Sequence, residues 1–150
     1  MDYELLIKDI NLKRSPKKIG TDKGLAKIGD GIVNLTYSIA KSVFLTKNSS
    51  NEKIVRTGVK VNKKILANAL KNANMKNFAK TRADAHDLAD TTEALVAYVW
   101  LSNHISLPEL IDFLSSSLSG DLILRNEEAE SATEAFTNLL NHIKQFLPES

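Results

Sequence analysis

Two short stretches of this chain hold acidic side chains at spacings that can do chemistry. In Leu88-Ala89-Asp90-Thr91-Thr92-Glu93-Ala94-Leu95 the carboxylates of Asp90 and Glu93 stand three residues apart, and in the run from Leu25 to Leu35 Asp30 is flanked by Gly29 and Gly31. At about 100° per residue, His86, Asp90, Glu93 and Ala97 fall on one helical stripe, opposite Leu88, Leu95 and Val99. Two carboxylates on one face can converge on a hard divalent cation such as Mg²⁺, which takes a few carboxylates and keeps several of its waters. The same spacing also suits an ordinary solvent-facing acidic surface. His86, one turn before Asp90, is placed to hydrogen-bond a metal-bound water, or else is a lone surface histidine. Asp84 and Asp87 suit the start of that helix, where acids meet the macrodipole favourably.

The elements that must position these groups read as helices. Leu25, Ile28, Ile32, Leu35 and Ile39 recur at three- and four-residue spacing, which predicts a long helix from about Asp22 to Phe44 with that stripe as its buried face. Each interior glycine costs such a helix about 1 kcal/mol relative to alanine. Gly29 and Gly31 therefore imply that another backbone comes close beside Asp30, at a helix crossing or a dimer contact, unless the segment is a loop. Before this helix, Tyr3 to Ile10 is a short amphipathic segment. The basic run Lys13, Arg14, Lys17 and Lys18 around Pro16 reads as an irregular linker or arm. After it come a polar loop at Lys47 to Asn51, a break at Gly58, and a helix over Asn62 to Met75 with Asn62 as its cap. A further helix is expected from Ala83 to Leu101, its core stripe formed by Leu88, Thr92, Leu95, Val96 and Val99. Ser106 and Glu109 have capping-box spacing before Leu110 to Leu118, and Gly120 is placed to stop that helix. A last helix runs from Asn126 to Leu147 through Ala132, Phe136, Leu139, Leu140 and Ile143. The expectation is an all-α fold in one domain over residues 1–150, with no clear strand and no internal repeat.

Composition narrows the function classes. The chain of 150 residues has ordinary globular values of 43% hydrophobic and 25% charged residues, which exclude a disordered or fibrous chain. It has no cysteine, so disulfides, thiolate metal sites and cysteine nucleophiles are excluded. Without a membrane-spanning run or a signal-like N-terminus, a soluble cytoplasmic protein is expected. The net charge of +2 conceals an asymmetry: 18 basic and six acidic residues up to Arg82, against two basic and 12 acidic after it. A basic half suits a polyanion, because released counterions drive association with phosphate backbones; the plainer reading is a lysine-rich solvated face. There is no P-loop, dinucleotide motif or Ser-His-Asp set.

Taken together, the pattern LxxIGDxIxxL, a polar and basic middle, and then LADxxEALxAxxxL resembles the ribonuclease III catalytic domain, an all-helical endonuclease of double-stranded RNA. A looser echo lies in Val61-Asn62-Lys63-Lys64-Ile65-Leu66-Ala67. The resemblance implies a site in which Asp30 meets Asp90 and Glu93 around Mg²⁺, with Mn²⁺ as a substitute. It also implies a homodimer about the long helix and products with 5′-phosphates and 3′-hydroxyls. Lys60, Lys63, Lys64, Lys80 and Arg82, which lie between the motifs, are the candidates to hold phosphates of double-stranded or structured RNA. Recognition is expected by A-form shape and 2′-hydroxyls.

The chain departs from the family pattern where two acidic residues usually precede the aspartate, since those positions are Lys23 and Ala26. In this it is similar to the short Mini-III form, which also lacks the glutamate and a separate RNA-binding domain, although Asp90 follows the ordinary pattern. An active endonuclease, an inactive family member binding structured RNA in a larger particle, and a helical interaction module therefore all stay open.

Overall fold

The computed structural model describes residues 2–13 and 15–149, with the side chains of Asp2 and Lys13 left aside. Among the described residues there is no strand, and the helices are α1 (Lys8–Lys13), α2 (Pro16–Gly20), α3 (Lys23–Lys47), α4 (Lys63–Asn72), α5 (Ala85–Leu101), α6 (Leu107–Ser117) and α7 (Arg125–Ile143). Short 3-10 turns at Asp2–Ile7, Lys76–Phe78 and Lys144–Phe146 complete the order. The expected all-α architecture is the observed one. No described helix is long and apolar enough to cross a membrane.

Caps fix the helix ends as the sequence implies. The side chain of Asp22 accepts from the Leu25 N–H at the start of α3, and Asn62 accepts from the Lys64 N–H at the start of α4. Reciprocal capping boxes open α5 (Asp84 with Asp87) and α6 (Ser106 with Glu109). The basic run around Pro16 is not the irregular arm its composition suggested. Ser15 caps α2, Pro16 sits in its first turn, and Lys17 and Lys18 are helical; Arg14 lies outside the described residues.

Helix α5 is the centre of the fold. From Leu88 to Val99 only Asp90 escapes burial, as expected of a helix that is apolar nearly all round. It packs chiefly on α3 and α4, while α6 packs on α3 and α7 on both α4 and α6. Two adjacent threonines tie it sideways: Thr91 Oγ1 donates to the Gly20 carbonyl at 2.7 Å and Thr92 Oγ1 to that of Leu66 at 2.9 Å. The crossing with α3 is so close that a Cβ on Gly29 would stand 1.8 Å from the Glu93 carbonyl oxygen.

Helix α3 corrects the expected stripe. Leu25 and Ile32 are buried, but Ile28, Leu35 and Ile39 are 38%, 51% and 39% exposed. The face turned inward instead carries Leu25, Ala26, Gly29, Ile32, Val33, Thr36, Tyr37 and Ala40. Gly29 stands on it where the α5 backbone comes near. Gly31 has open space where a Cβ would go, so within one chain only Gly29 answers to a close approach.

After the expected polar loop, which turns at residues 48–51, the middle segment through Gly58 is not a break. It runs extended beside α3 in the opposite direction, and polar side chains four apart on the helix meet alternate residues of the segment. The N–H groups of Val55, Thr57, Val59 and Val61 donate to Thr46, Ser42, Ser38 and Asn34 at 2.9, 3.0, 2.8 and 2.8 Å. The first three hydroxyls each also lie 3.2 Å from the carbonyl oxygen of the same residue. The registers match because four helical residues rise about 6 Å and two extended residues about 6.6 Å. The last rung reaches the acidic residues, since Asn34 Nδ2 donates to Asp30 Oδ1 at 3.2 Å.

Candidate active site

The α3–α5 crossing, closed at its end by the first turn of α4, brings the motif residues together. Asp30, Asp90, Glu93, Lys63 and His86 line one cleft of about 340 Å³, with Lys23, Ala26 and Lys27 on the α3 side. Asp30 and Glu93 are hydrogen-bonded to each other through their side chains. Lys63 Nζ lies 2.9 Å from Glu93 Oε1 and 3.6 Å from Asp90 Oδ1. Lys23 Nζ approaches the other Asp90 oxygen at 3.4 Å, and His86 Nε2 stands 3.7 Å from that same oxygen, too far for a hydrogen bond.

The face expected to lie opposite the core does not face solvent. Glu93 is only 2% exposed and Ala97 fully buried, because α3 and α4 cover the side of α5 that a purely amphipathic reading leaves to water. Burial has an electrostatic consequence. Desolvation and the hydrogen bond it donates to Asp30 push the Glu93 carboxyl up to about 7, against the pull of Lys63. Asp30 is held below the ordinary range, first by its hydrogen bond with Glu93 and then by Lys63, Asn34 and Lys60, against its own desolvation. Glu93 thus carries the proton of the pair as pH falls below about 7, while Asp30 keeps its charge. Burial works against the charge on Lys63, but the combined pull of Glu93, Asp90 and Asp30 keeps its ammonium above the ordinary lysine value.

The remaining sequence candidates lie in different places. Lys60 is exposed but close enough to lower Asp30. Lys64 and Arg82 are exposed, Arg82 at a positive φ of 60°, and neither lines the cleft. Lys80 Nζ pairs with Asp87 at 3.3 Å beside a small neighbouring recess that shares Lys23 and Asp90 with the cleft. Asp87 is held low by its bond to the Asp84 backbone and by Lys80, which agrees with a capping role. Sequence reasoning missed Lys23 and Lys27 as cleft residues and Asn34 as the group that orients Asp30. Asn34 was findable, being one helical turn beyond the aspartate.

The donor set suits a hard cation in type, since it is all carboxylate oxygen and already holds an ammonium. It is not a closed cage: among the described residues no three carboxylates or histidines gather tightly enough to hold a metal ion. Lys63 stands among them.

A family model described as Ribonuclease III matches residues 23–148, which takes in every residue of the cleft. No curated protein matches the chain.

Proposed function

The chain belongs to the ribonuclease III family, and on that premise we propose that it is a metal-dependent endonuclease that hydrolyses double-stranded RNA as a homodimer in RNA processing. The observation that carries this reading is the convergence of Asp30, Asp90 and Glu93 from two helices on one cleft rimmed by Lys23, Lys27 and Lys63. A cytoplasmic setting belongs to the same reading.

Asp30, Asp90 and Glu93 would hold Mg²⁺ or Mn²⁺, and such ions lower the pKa of water and stabilise charge on a leaving oxygen. Asn34 fixes the rotamer of Asp30, so the carboxylate is oriented before RNA arrives. A cation held there would displace any proton that Asp30 and Glu93 share. Lys60, Lys63 and Lys64 beside the cleft and Lys80 and Arg82 farther along would take successive phosphates. The scissile bond is that between phosphorus and the 3′-oxygen; water adds to phosphorus, leaving a 5′-phosphate and a 3′-hydroxyl. Selection of a duplex would rest on A-form shape, because the deep groove of RNA hides its base edges. The dimer reading is supported by Ile28, Leu35 and Ile39, an exposed apolar stripe on α3 beside the open flank of Gly31.

A second reading has its own observation. Ala26 removes a usual carboxylate and Lys63 sits among the three that remain, which favours a domain that binds structured RNA without cutting it. Incubation of a long RNA duplex with the protein, in Mg²⁺ and in EDTA, decides between them. Mg²⁺-dependent fragments carrying 5′-phosphates are expected. Retention of intact duplex with binding supports the second reading, and no binding contradicts both.

A further inference from the structure

Lys63 occupies a place that its helix does not favour. It is the first residue of α4, directly after the Asn62 cap, where the macrodipole opposes a positive charge. Its ammonium is nevertheless turned onto Glu93 and Asp90 at 2.9 and 3.6 Å, with 36% of the side chain still open to solvent. Lys23 adds a second, weaker cation on the far side of Asp90 at 3.4 Å, itself 71% exposed. Lysine at that position also stands where the family pattern has an acidic residue, so the cleft carries positive charge there in place of negative. Lys60 acts on Asp30 only at longer range, and among the described residues no three acidic or histidine side chains gather tightly enough to hold a metal ion.

We propose that Lys63 is the resident counter-ion of this cleft: its ammonium holds the place among Asp30, Asp90 and Glu93 that a divalent ion takes, so a metal ion must displace it to bind. The proposal rests on the reading of these carboxylates as the metal site. The cleft gains one positive charge in the exchange, because the ammonium leaves through its solvent-exposed flank as the divalent cation enters. Once outside, it stands at the mouth of the cleft, where a phosphate of the duplex can receive it. The protein then carries a metal-free state without bare buried charge, which an unpaired Asp30–Glu93 pair would impose. The cost is a weakened metal affinity. Repulsion scales with charge, so the ammonium opposes a divalent ion about twice as strongly as it opposes a proton on the same carboxylates, and removing it favours metal on balance.

The test is calorimetric titration of Mn²⁺ into the full chain at pH 8, with helicity checked by circular dichroism. Lys63→Gln, which keeps a donor for Glu93 but loses the charge, is expected to bind Mn²⁺ roughly tenfold more tightly than wild type. Lys63→Arg should stay near wild type, and Glu93→Gln should lose binding. Unchanged or weaker binding in Lys63→Gln, with binding still lost in Glu93→Gln, overturns the counter-ion role and leaves the metal site standing. Absence of binding in both wild type and Lys63→Gln overturns both. A measurement without any variant guards against misfolding: the Lys63 Nζ resonance of the wild type should shift in step with Mg²⁺ saturation, and a resonance that stays fixed while metal binds contradicts displacement.

Discussion

Gly29 of α3 and Glu93 of α5 meet backbone to backbone: a Cβ at residue 29 would lie 1.8 Å from the Glu93 carbonyl oxygen and 2.9 Å from its Cα. The contact sets the depth at which α3 rides on α5 and therefore the distance between Asp30, the next residue on one helix, and the Glu93 side chain on the other. Nothing can relieve a clash there except separation of two packed helices.

Gly29→Ala is accordingly expected to destabilise the chain by roughly 3 kcal/mol or more, as overpacking against rigid backbone does. Gly31→Ala, with nothing within 4 Å of the new methyl, should be neutral or gain up to about 1 kcal/mol from helix propensity. Urea denaturation of both variants checks this, and equal losses would place the crossing elsewhere.

The raised Glu93 carboxyl makes stability depend on pH. Its folded value of about 7 lies above the ordinary 4.5, so the folded state binds the extra proton. That stabilisation is complete below pH 4.5 and is lost as pH rises through 7. Asp30, shifted downward, acts only at lower pH. In EDTA, the wild type should lose on the order of 2–3 kcal/mol across this interval through this group, and Glu93→Gln should show a flatter profile. Thermal melts from pH 4.5 to 8 supply the comparison; parallel profiles would contradict the burial argument.

Much of this site was legible in the sequence, for a definite reason. Asp30, Asp90 and Glu93 sit on helices whose periodicity is strong, and their caps, Asp22 and Asp84, fix the phase. What escaped depended on tertiary contact. The inward face of α3 mixes Leu25, Ile32, Val33 and Tyr37 with the small Ala26, Gly29, Thr36 and Ala40, so the larger Ile28, Leu35 and Ile39 drew part of the expected core to the wrong side. Glu93 was assigned to an outward face because nothing local reveals that α3 and α4 cover α5 on that side. The extended stretch beside α3 bonds to side chains instead of a sheet partner, and so it lacks the signature of a strand.

The exposed α3 stripe yields a prediction about assembly. Leu35→Lys should leave the helical content unchanged, since this side chain is half exposed already, yet it should convert a dimer to a monomer in sedimentation equilibrium. Gly31→Leu should do the same by filling the open flank. A wild type that sediments as a monomer at micromolar concentration would remove the dimer from the account.

The side-chain ladder predicts a local change in dynamics. Ser42→Ala removes the partner of the Thr57 N–H, 3.0 Å away, and amide exchange at Thr57 should accelerate at least tenfold while that of α5 stays slow. Exchange read by mass spectrometry or NMR reports it. Unchanged protection at Thr57 would mean that the segment is held by its apolar side chains alone.

The most direct measurement compares wild type and Glu93→Gln for binding and cutting of the same RNA duplex in Mg²⁺. If Glu93 serves the metal and the lysines serve the phosphates, the variant should lose cleavage by at least about a hundredfold while its duplex affinity stays within about threefold of wild type. The affinity of both should fall steeply with added salt, as counterion release requires. Cleavage by Glu93→Gln at the wild-type rate would contradict the assignment of the active site to this cleft.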